Sequence, residues 1–326
     1  MNAFIAVQFI FCRSVCCPAG TAESKVPMQT CRNCGSQDVK DVGLKGEIAP
    51  FFLKRVVGIE LGPDGAVHPV KKLLRATPFL PHGLLRKVYR TAALIDLQIC
   101  RQCRFVQTKN PFSAEMLGEL YRDYRSDSYN SERIRYEPEY EAVAAQVGKD
   151  DEASVRVGTL TAWLRDKIDL TRELSMLDYG GADGRFLPKL PGTKYVYEIS
   201  DMTPVEGVTR IRNADELSTY SYVQVAHVLE HVPDPLEMVK TVANSICKSG
   251  YLYIEVPEDI DREKIDRLLQ GENLHIPIHE HINFYNLEAV RRVVEAVGLQ
   301  LIAVQADRLN LGWANTTILR GLGRKP

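Results

Sequence analysis

One turn constrains this chain more than any other segment. Leu177-Asp178-Tyr179-Gly180-Gly181-Ala182-Asp183-Gly184 follows a short apolar run and precedes a helical pattern. A strand that turns into a helix through closely spaced glycines brings bare backbone to the carboxyl end of a parallel sheet, where open α/β folds bind their ligands. The flanking sequence agrees: apolar runs at Ser175 to Tyr179, Lys194 to Ile199, Tyr222 to Ala226 and Tyr251 to Val256 alternate with helical stretches, predicting a mostly parallel sheet. Asp234, Pro235 and Glu237 cap a helix whose Leu236, Val239, Ala243 and Ile246 face that sheet. A second helix is predicted over Leu287 to Val297, opened by Asn286 and stopped by Gly298. Leu299 to Ala306 and Asn315 to Leu319 lie too close together for a crossover helix, so they should form an antiparallel hairpin at the sheet edge.

Glu198 ends the second run twenty residues after Asp178, where a carboxylate can accept both hydroxyls of a ribose. That much also suits a dinucleotide enzyme. The G-x-G-x-x-G fingerprint is missing, because Ala182 takes its second glycine position and Arg185 its third. A cofactor with a ribose and no pyrophosphate makes fewer demands on such a loop, and an NAD-dependent oxidoreductase is the less favoured alternative.

Asp178-x-Gly180-x-Ala182-x-Gly184, then Glu198, then His227-Val228-Leu229-Glu230-His231-Val232-Pro233-Asp234-Pro235 together resemble the class I S-adenosylmethionine-dependent methyltransferases. Gly250 to Pro257, the segment His279-Glu280-His281-Ile282-Asn283-Phe284 and the terminal hairpin extend the resemblance over about residues 171–320. It implies a Rossmann-like α/β domain with a seven-stranded, mostly parallel sheet. It also implies that Asp178, Gly180, Gly181 and Gly184 surround the methionine portion of the cofactor and that Glu198 holds its ribose. Asn213 and Ala214 would then lie near the adenine, with His227 among the cofactor contacts. The chain departs from the usual pattern at Ala182, where a glycine is common, and at Asn213, where an aspartate is. A methyltransferase-like scaffold that no longer catalyses is the alternative from another class.

His227 to His231 spells H-x-x-E-H, the letters of an inverted zinc-protease helix. Here the segment leaves a strand and meets Pro233 two residues later, so no helix of adequate length holds it and catalytic zinc is not expected. At the carboxyl end of its strand, His231 is placed to take a proton from an acceptor, since an imidazole with a pKa near ~6.5 suits that task. Glu230 would orient the ring. A Glu-His pair of this kind serves catalysis in sugar C-methyltransferases, which this part of the chain resembles; a purely structural strand-end pair is the alternative. His279 and His281, with Tyr124 and Tyr129, are candidates to line the acceptor pocket, whereas His275 reads equally well as a surface residue.

Cys31, Cys34, Cys100 and Cys103 form two C-x-x-C pairs with 65 residues between the inner cysteines. Two such knuckles deliver four thiolates to one Zn²⁺, and four thiolates leave no open position for water, so the metal should be structural. Similar modules precede the catalytic domain in sugar C-methyltransferases, and Cys103-Arg104-Phe105-Val106 with Asn110-Pro111 resembles that junction. Residues 28–110 therefore read as a zinc-ribbon-like module with turns at Pro63-Asp64-Gly65 and Pro78 to Gly83. Residues 111–170 read as a helical connector, with Val157, Leu160, Leu164 and Ile168 along one face, and 171–326 as the methyltransferase domain. Tyr121, Tyr124, Tyr129, Tyr136 and Tyr140, with Arg122, Arg125, Arg133 and Arg135, form a cluster that can fold over the site, its arginines toward an acceptor phosphate, or simply pack as an amphipathic connector. Residues 1–27 read as an extension, with Met28 a candidate start and no role for Cys12, Cys16 or Cys17; the apolar run within them is too short to span a bilayer.

The chain has 41 basic and 42 acidic residues and a formal net charge of −1, which supplies no global field to gather nucleic acid or an anionic membrane. Thiolate ligands point to the reducing cytoplasm. The expectation is therefore methyl transfer from S-adenosylmethionine to an oxygen or carbon of a small acceptor, a nucleotide-linked sugar or saccharide intermediate. Nothing in the sequence fixes the oligomeric state.

Overall fold

The computed structural model describes residues 30–58, 94–198, 200 and 202–326. The expectations for residues 1–27, for Met28, and for the turns at Pro63 to Gly65 and Pro78 to Gly83 lie outside the described residues. No helix among the described residues is long and apolar enough to cross a membrane.

The first part of the chain is built on β1 (Val39–Ile48), β2 (Leu94–Cys100) and β3 (Val106–Thr108), which pair in antiparallel order. Four helices follow: α1 (Ala114–Tyr121), α2 (Asp127–Tyr136), α3 (Tyr140–Ala144) and α4 (Asp150–Leu164). Ser113 and Ser126 cap α1 and α2 by accepting from the amides of Met116 and Tyr129, satisfying donors that a helix start leaves orphaned. Val157, Leu160, Leu164 and Ile168 are all buried, as their spacing predicts, although Ile168 lies just beyond the end of α4.

The α/β part runs β4 (Leu174–Tyr179), β5 (Gly192–Tyr197), β6 (Val208–Ile211), β7 (Tyr220–Ala226), α5 (Pro235–Asn244), β8 (Ile246–Pro257), α6 (Arg262–Leu269), β9 (Ile276–Ile278), β10 (Asn283–Phe284), α7 (Leu287–Ala296), β11 (Gln300–Asn310) and β12 (Asn315–Arg324). Seven of these strands form one sheet in the order β11-β12-β8-β7-β4-β5-β6. β4 to β8 run parallel, and β12 is antiparallel to both its neighbours, so the predicted hairpin does close one edge. The capping expectations also hold: Asp234 accepts from Glu237 N with Pro235 first in α5, and Asn286 accepts from Ala289 N at the start of α7. Ile246 differs from expectation, beginning β8 rather than ending the helix. β6, which the sequence reading leaves out, is a four-residue strand at the opposite edge, too short and too exposed to show a clear period.

One face of the sheet is covered by α5 and α7, whose Val239, Val242, Val290, Val293 and Val294 join Leu177, Val223, Leu252 and Ile254 in the largest core. The other face meets α4 through Leu160, Trp163 and Leu164 against Met176, Tyr222 and Tyr253. The smaller sheet does not belong to the first part alone. Its order is β10-β3-β2-β1-β9, so the segment following β8 adds a parallel strand beside β1 and an antiparallel one beside β3. A shared core of Phe51, Phe52, Leu97, Ile99, Leu117, Ile276, Ile278 and Phe284 fastens the two parts together.

Candidate active site

Because the chain leaves β4 for β5 on one side and returns to β7 on the other, the carboxyl end of β4 is the topological switch point of the sheet. Asp178 arrives there almost fully buried, and among the described residues neither of its carboxylate oxygens meets hydrogen-bond geometry, the Gln224 side chain being the polar group close enough to favour its charge. Burial, helped by the neighbouring carboxylates of Glu198 and Glu255, pushes its pKa up to about 7. Only glycine fits at 181, since a Cβ there would stand 2.1 Å from Asp178 Cγ. Ala182 occupies the left-handed region at φ 55°, the conformation that explains why a glycine is common at this point.

Glu198 lies just past β5 and folds back over this loop. Its Oε2 accepts from the Ala182 amide at 3.1 Å and its Oε1 from the Ser200 amide at 2.8 Å. Asp178, Gly180, Gly181, Gly184 and Glu198 are thus brought together. Asn213 and Ala214 follow β6, the next strand over: Asn213 is exposed and Ala214 packs against the main core. A buried carboxylate can neutralise an ammonium group, and a carboxylate held by two amides can accept from vicinal hydroxyls.

β7 ends at a second cluster. Val228 packs against the glycine loop, one of its methyls 3.1 Å from where a Cβ on Gly180 would be. His227, at φ 55°, places Nδ1 3.3 Å from Glu230 Oε1 and Nε2 3.3 Å from Glu255 Oε1. Burial and Arg156 work against its protonated form, but Glu230 and Glu255 outweigh them and raise its pKa. Glu255 is itself gripped by Arg156 Nη2 at 2.6 Å and approached by Arg320 at 3.5 Å, two buried cations that the sequence reading misses because they come from α4 and β12.

Residues 227–231 form a turn, not a helix, as Pro233 predicts. The turn is held from β10: Asn283 Nδ2 donates to the carbonyls of Leu229 and Val232 at 2.9 and 2.7 Å, and the amides of Ile282 and Asn283 donate to the Glu230 carbonyl. Glu230 is fully buried; burial opposes its charge, yet His231, His227 and His281 around it hold its pKa down at about 2. His231 Nε2 stands 3.8 Å from Glu230 Oε1, and burial lowers the pKa of this imidazole. His281 lies beside it, ring centroids 4.8 Å apart, with Nδ1 2.6 Å from Asp259. Burial opposes the charge of His281, but Asp259 raises its pKa to about 9. His279 does not join this group; its Nδ1 pairs with Glu137 at 3.1 Å.

The connector tyrosines close over the cluster. Tyr121 OH is 2.7 Å from His231 Nδ1. Tyr124 and Tyr129 both donate to the carboxylate of Glu280, at 3.3 and 2.9 Å. Arg133 pairs with that carboxylate as well as with Glu137, so this arginine is spent on internal carboxylates. The sequence gives no reason to expect Glu280 as a site residue, since it is one letter between two histidines, and only the fold shows three side chains converging on its carboxylate.

The four cysteines meet in one cluster that packs into the main core. Cys31 Sγ lies 3.6 Å from Cys103 Sγ and Cys34 Sγ 3.7 Å from Cys100 Sγ, with all four sulfurs within 4.8 Å of one another. These separations exclude disulfides and match the ~3.8 Å edge of a tetrahedron built on ~2.3 Å zinc–sulfur bonds. The two knuckles are alike in backbone as well. Gly35 and Arg104, each following the second cysteine of its pair, both have φ near the left-handed region and donate back to the first cysteine's carbonyl at 2.8 Å. Asn33 Nδ2 donates to Ala289 O at 2.9 Å and Asn286 Nδ2 to Arg104 O at 2.8 Å, tying the knuckles to the start of α7.

Residues 148–304 match the model of a family described as a methyltransferase domain. No curated protein matches the sequence significantly. Similar solved structures include magnesium protoporphyrin IX methyltransferase of Synechocystis PCC 6803 with bound SAH, at 16% identity and TM-score 0.40, covering 61% of this chain and 97% of that one. Another is 1,6-didemethyltoxoflavin-N1-methyltransferase of Burkholderia thailandensis, at 15% identity and TM-score 0.43, covering 68% of this chain and 94% of that one. A third is an S-adenosylmethionine-dependent methyltransferase from Mesorhizobium loti, at 15% identity and TM-score 0.37, covering 50% of this chain and 96% of that one.

Proposed function

We propose that the region matched over residues 148–304 as a methyltransferase domain is a class I S-adenosylmethionine-dependent enzyme that methylates an oxygen or carbon of a small acceptor, with Glu230 and His231 as its proton-handling pair. The observation that carries this reading is the meeting of two half-sites at the switch point. The glycine loop with Asp178 and Glu198 forms one, and the Glu230–His231 turn packed against it through Val228 forms the other. When bound, the cofactor supplies an activated methyl on a sulfonium. Asp178 would face its ammonium group, Glu198 its ribose, and Asn213 and Ala214 would flank the adenine beyond β6.

His231 then removes the acceptor proton. Its lowered pKa keeps the imidazole neutral near pH 7, and the ionised Glu230 3.8 Å away favours the imidazolium once it forms. Tyr121, Tyr124, Tyr129 and the loop bearing His281 exclude water from this end, which strengthens every charge interaction inside it. A nucleotide-linked sugar or a saccharide intermediate is the acceptor class that the motif resemblance favours. The four cysteines, on their sulfur geometry, hold a structural Zn²⁺, and thiolate ligation suits a cytoplasmic protein.

The test is to incubate the zinc-loaded protein with S-adenosylmethionine and a panel of nucleotide sugars and to follow formation of S-adenosylhomocysteine. Product with any of them supports the saccharide assignment. Turnover confined to acceptors of another class would remove it while leaving the methyl transfer itself intact.

A further inference from the structure

The hydrogen bonds around His231 determine which of its nitrogens carries the proton, and a residue outside the α/β domain sets them. His231 Nδ1 lies 2.7 Å from Tyr121 OH and 3.4 Å from the carbonyl oxygen of Glu280. That same carbonyl lies 3.1 Å from Tyr121 OH. A carbonyl only accepts and a phenol has one proton to give. If the phenol proton goes to His231, the Glu280 carbonyl receives no proton from it and Nδ1 can offer none. If it goes to the carbonyl, the phenol oxygen is left to accept from Nδ1–H, and all three groups are satisfied. The second arrangement makes one more hydrogen bond.

We propose that Tyr121 is a positioning residue that fixes His231 as its Nδ1–H tautomer, through the relay His231 Nδ1–H to Tyr121 O–H to Glu280 C=O, and so leaves the Nε2 lone pair available to the acceptor. The proposal rests on the reading of His231 as the base. Nε2 is 3.8 Å from Glu230 Oε1, too far for a hydrogen bond, so no group among the described residues claims a proton from it. When Nε2 takes the acceptor proton, the imidazolium keeps its Nδ1–H bond to Tyr121 and turns a new N–H toward the Glu230 carboxylate. The groups facing the ring are Tyr121 from α1, Glu280 and His281 from the segment before β10, and Glu230 from its own turn.

The relay is supported from behind. Tyr121 is buried in the second core with Leu117 and Leu120 of its own helix, and its ring meets those of His231 and Tyr124 edge to face. Glu280 is clamped by Tyr124, Tyr129 and Arg133, which fixes the carbonyl that ends the relay. The tyrosines of the connector thereby act on the base through its tautomer and need not touch the acceptor.

The experiment is nitrogen-15 NMR of the histidine rings in the full, zinc-loaded chain with S-adenosylhomocysteine at pH 8, His231 being assigned with His231→Gln. The expected result is a protonated Nδ1 and a bare Nε2 in the wild type, and a signal moved to the Nε2–H form or to a mixture in Tyr121→Phe. That variant keeps the ring and its packing, and a thermal midpoint within a few degrees of wild type shows it folded. A wild-type His231 protonated at Nε2 overturns the proposal without any variant, as does Tyr121→Phe with an unchanged tautomer. With an acceptor in hand, kcat of Tyr121→Phe should fall about tenfold or more with KM within about twofold. Failure of the base reading looks different: His231→Ala would turn over at the wild-type rate whatever the tautomer.

Discussion

Ala182 N–H donates to Glu198 Oε2 across 3.1 Å, so the residue that replaces the usual glycine is also the one that latches the loop to the carboxylate proposed to hold the ribose. At φ 55° an alanine carries a penalty of about 1 kcal/mol relative to glycine. Ala182→Gly should therefore leave the latch intact and change the unfolding free energy by less than about 1 kcal/mol, with cofactor affinity held within about threefold. Denaturant unfolding and calorimetry check both parts. A large loss of affinity would mean that the methyl group, rather than the backbone, matters there.

Asp178 pits stability against binding. Its folded pKa of about 7 exceeds its ordinary 3.8, so the stability linked to its proton is fully present below about pH 3.8 and is lost as pH rises through about 7. Asp178→Asn keeps an uncharged side chain at every pH. The variant should match wild type at pH 4 and exceed it at pH 8 by up to roughly 4 kcal/mol, while binding S-adenosylhomocysteine at least about tenfold more weakly. Thermal melts at the two pH values and one titration decide the matter.

His231→Ala should abolish turnover and leave cofactor affinity within about twofold. In the wild type the acid limb of kcat/KM should fall below the ordinary histidine value of ~6.5, because burial lowers the pKa of this imidazole and a base must be unprotonated to act. An acid limb well above that value would assign the proton transfer to another group.

Arg133 sits between the buried carboxylates of Glu280 and Glu137. Arg133→Ala removes the guanidinium that pairs with both and should cost about 3–5 kcal/mol of stability near neutral pH. Much of that loss should disappear in the double variant Arg133→Ala with Glu280→Gln, since a neutral amide needs no counter-charge. Urea denaturation of the two variants measures the difference.

Removing the metal should reach the active site through a short chain of strands. Cys103 leads into β3, β3 pairs with β10, and Asn283 of β10 holds the Glu230 turn. Cys34→Ser or a chelator should lower Tm by about 5–15 °C and broaden the His231 ring signals. Binding of S-adenosylhomocysteine, which depends on the other half-site, should persist within about tenfold at a temperature where the protein stays folded. Metal analysis should return one zinc per chain.

The parts that sequence reasoning recovers are those set by local chemistry. The loop at Asp178, the caps at Asp234 and Asn286, the terminal hairpin and the two cysteine knuckles each depend on residues close together in the chain, and each stands where the sequence places it. The roles that go unread depend on pairings between distant segments. β9 and β10 are three and two residues long and gain their identity only by adding to β1 and β3. Glu280, Asp259 and Arg156 carry no local signature, and the histidine pair 279 and 281, alike in sequence, is split by the fold into a Glu137 partner and a neighbour of His231. Among the clustered tyrosines, only three-dimensional packing shows that Tyr121 reaches His231 while Tyr124 and Tyr129 hold Glu280.

Isothermal titration of the zinc-loaded full chain with S-adenosylhomocysteine decides whether the Asp178 loop and Glu198 enclose an adenosyl cofactor. Saturable one-to-one binding is expected, weakened by about 10- to 100-fold in Glu198→Ala, which removes a charged acceptor of two hydrogen bonds. Folded, metal-replete wild-type protein that releases no binding heat and shows no thermal stabilisation by the ligand would contradict that assignment.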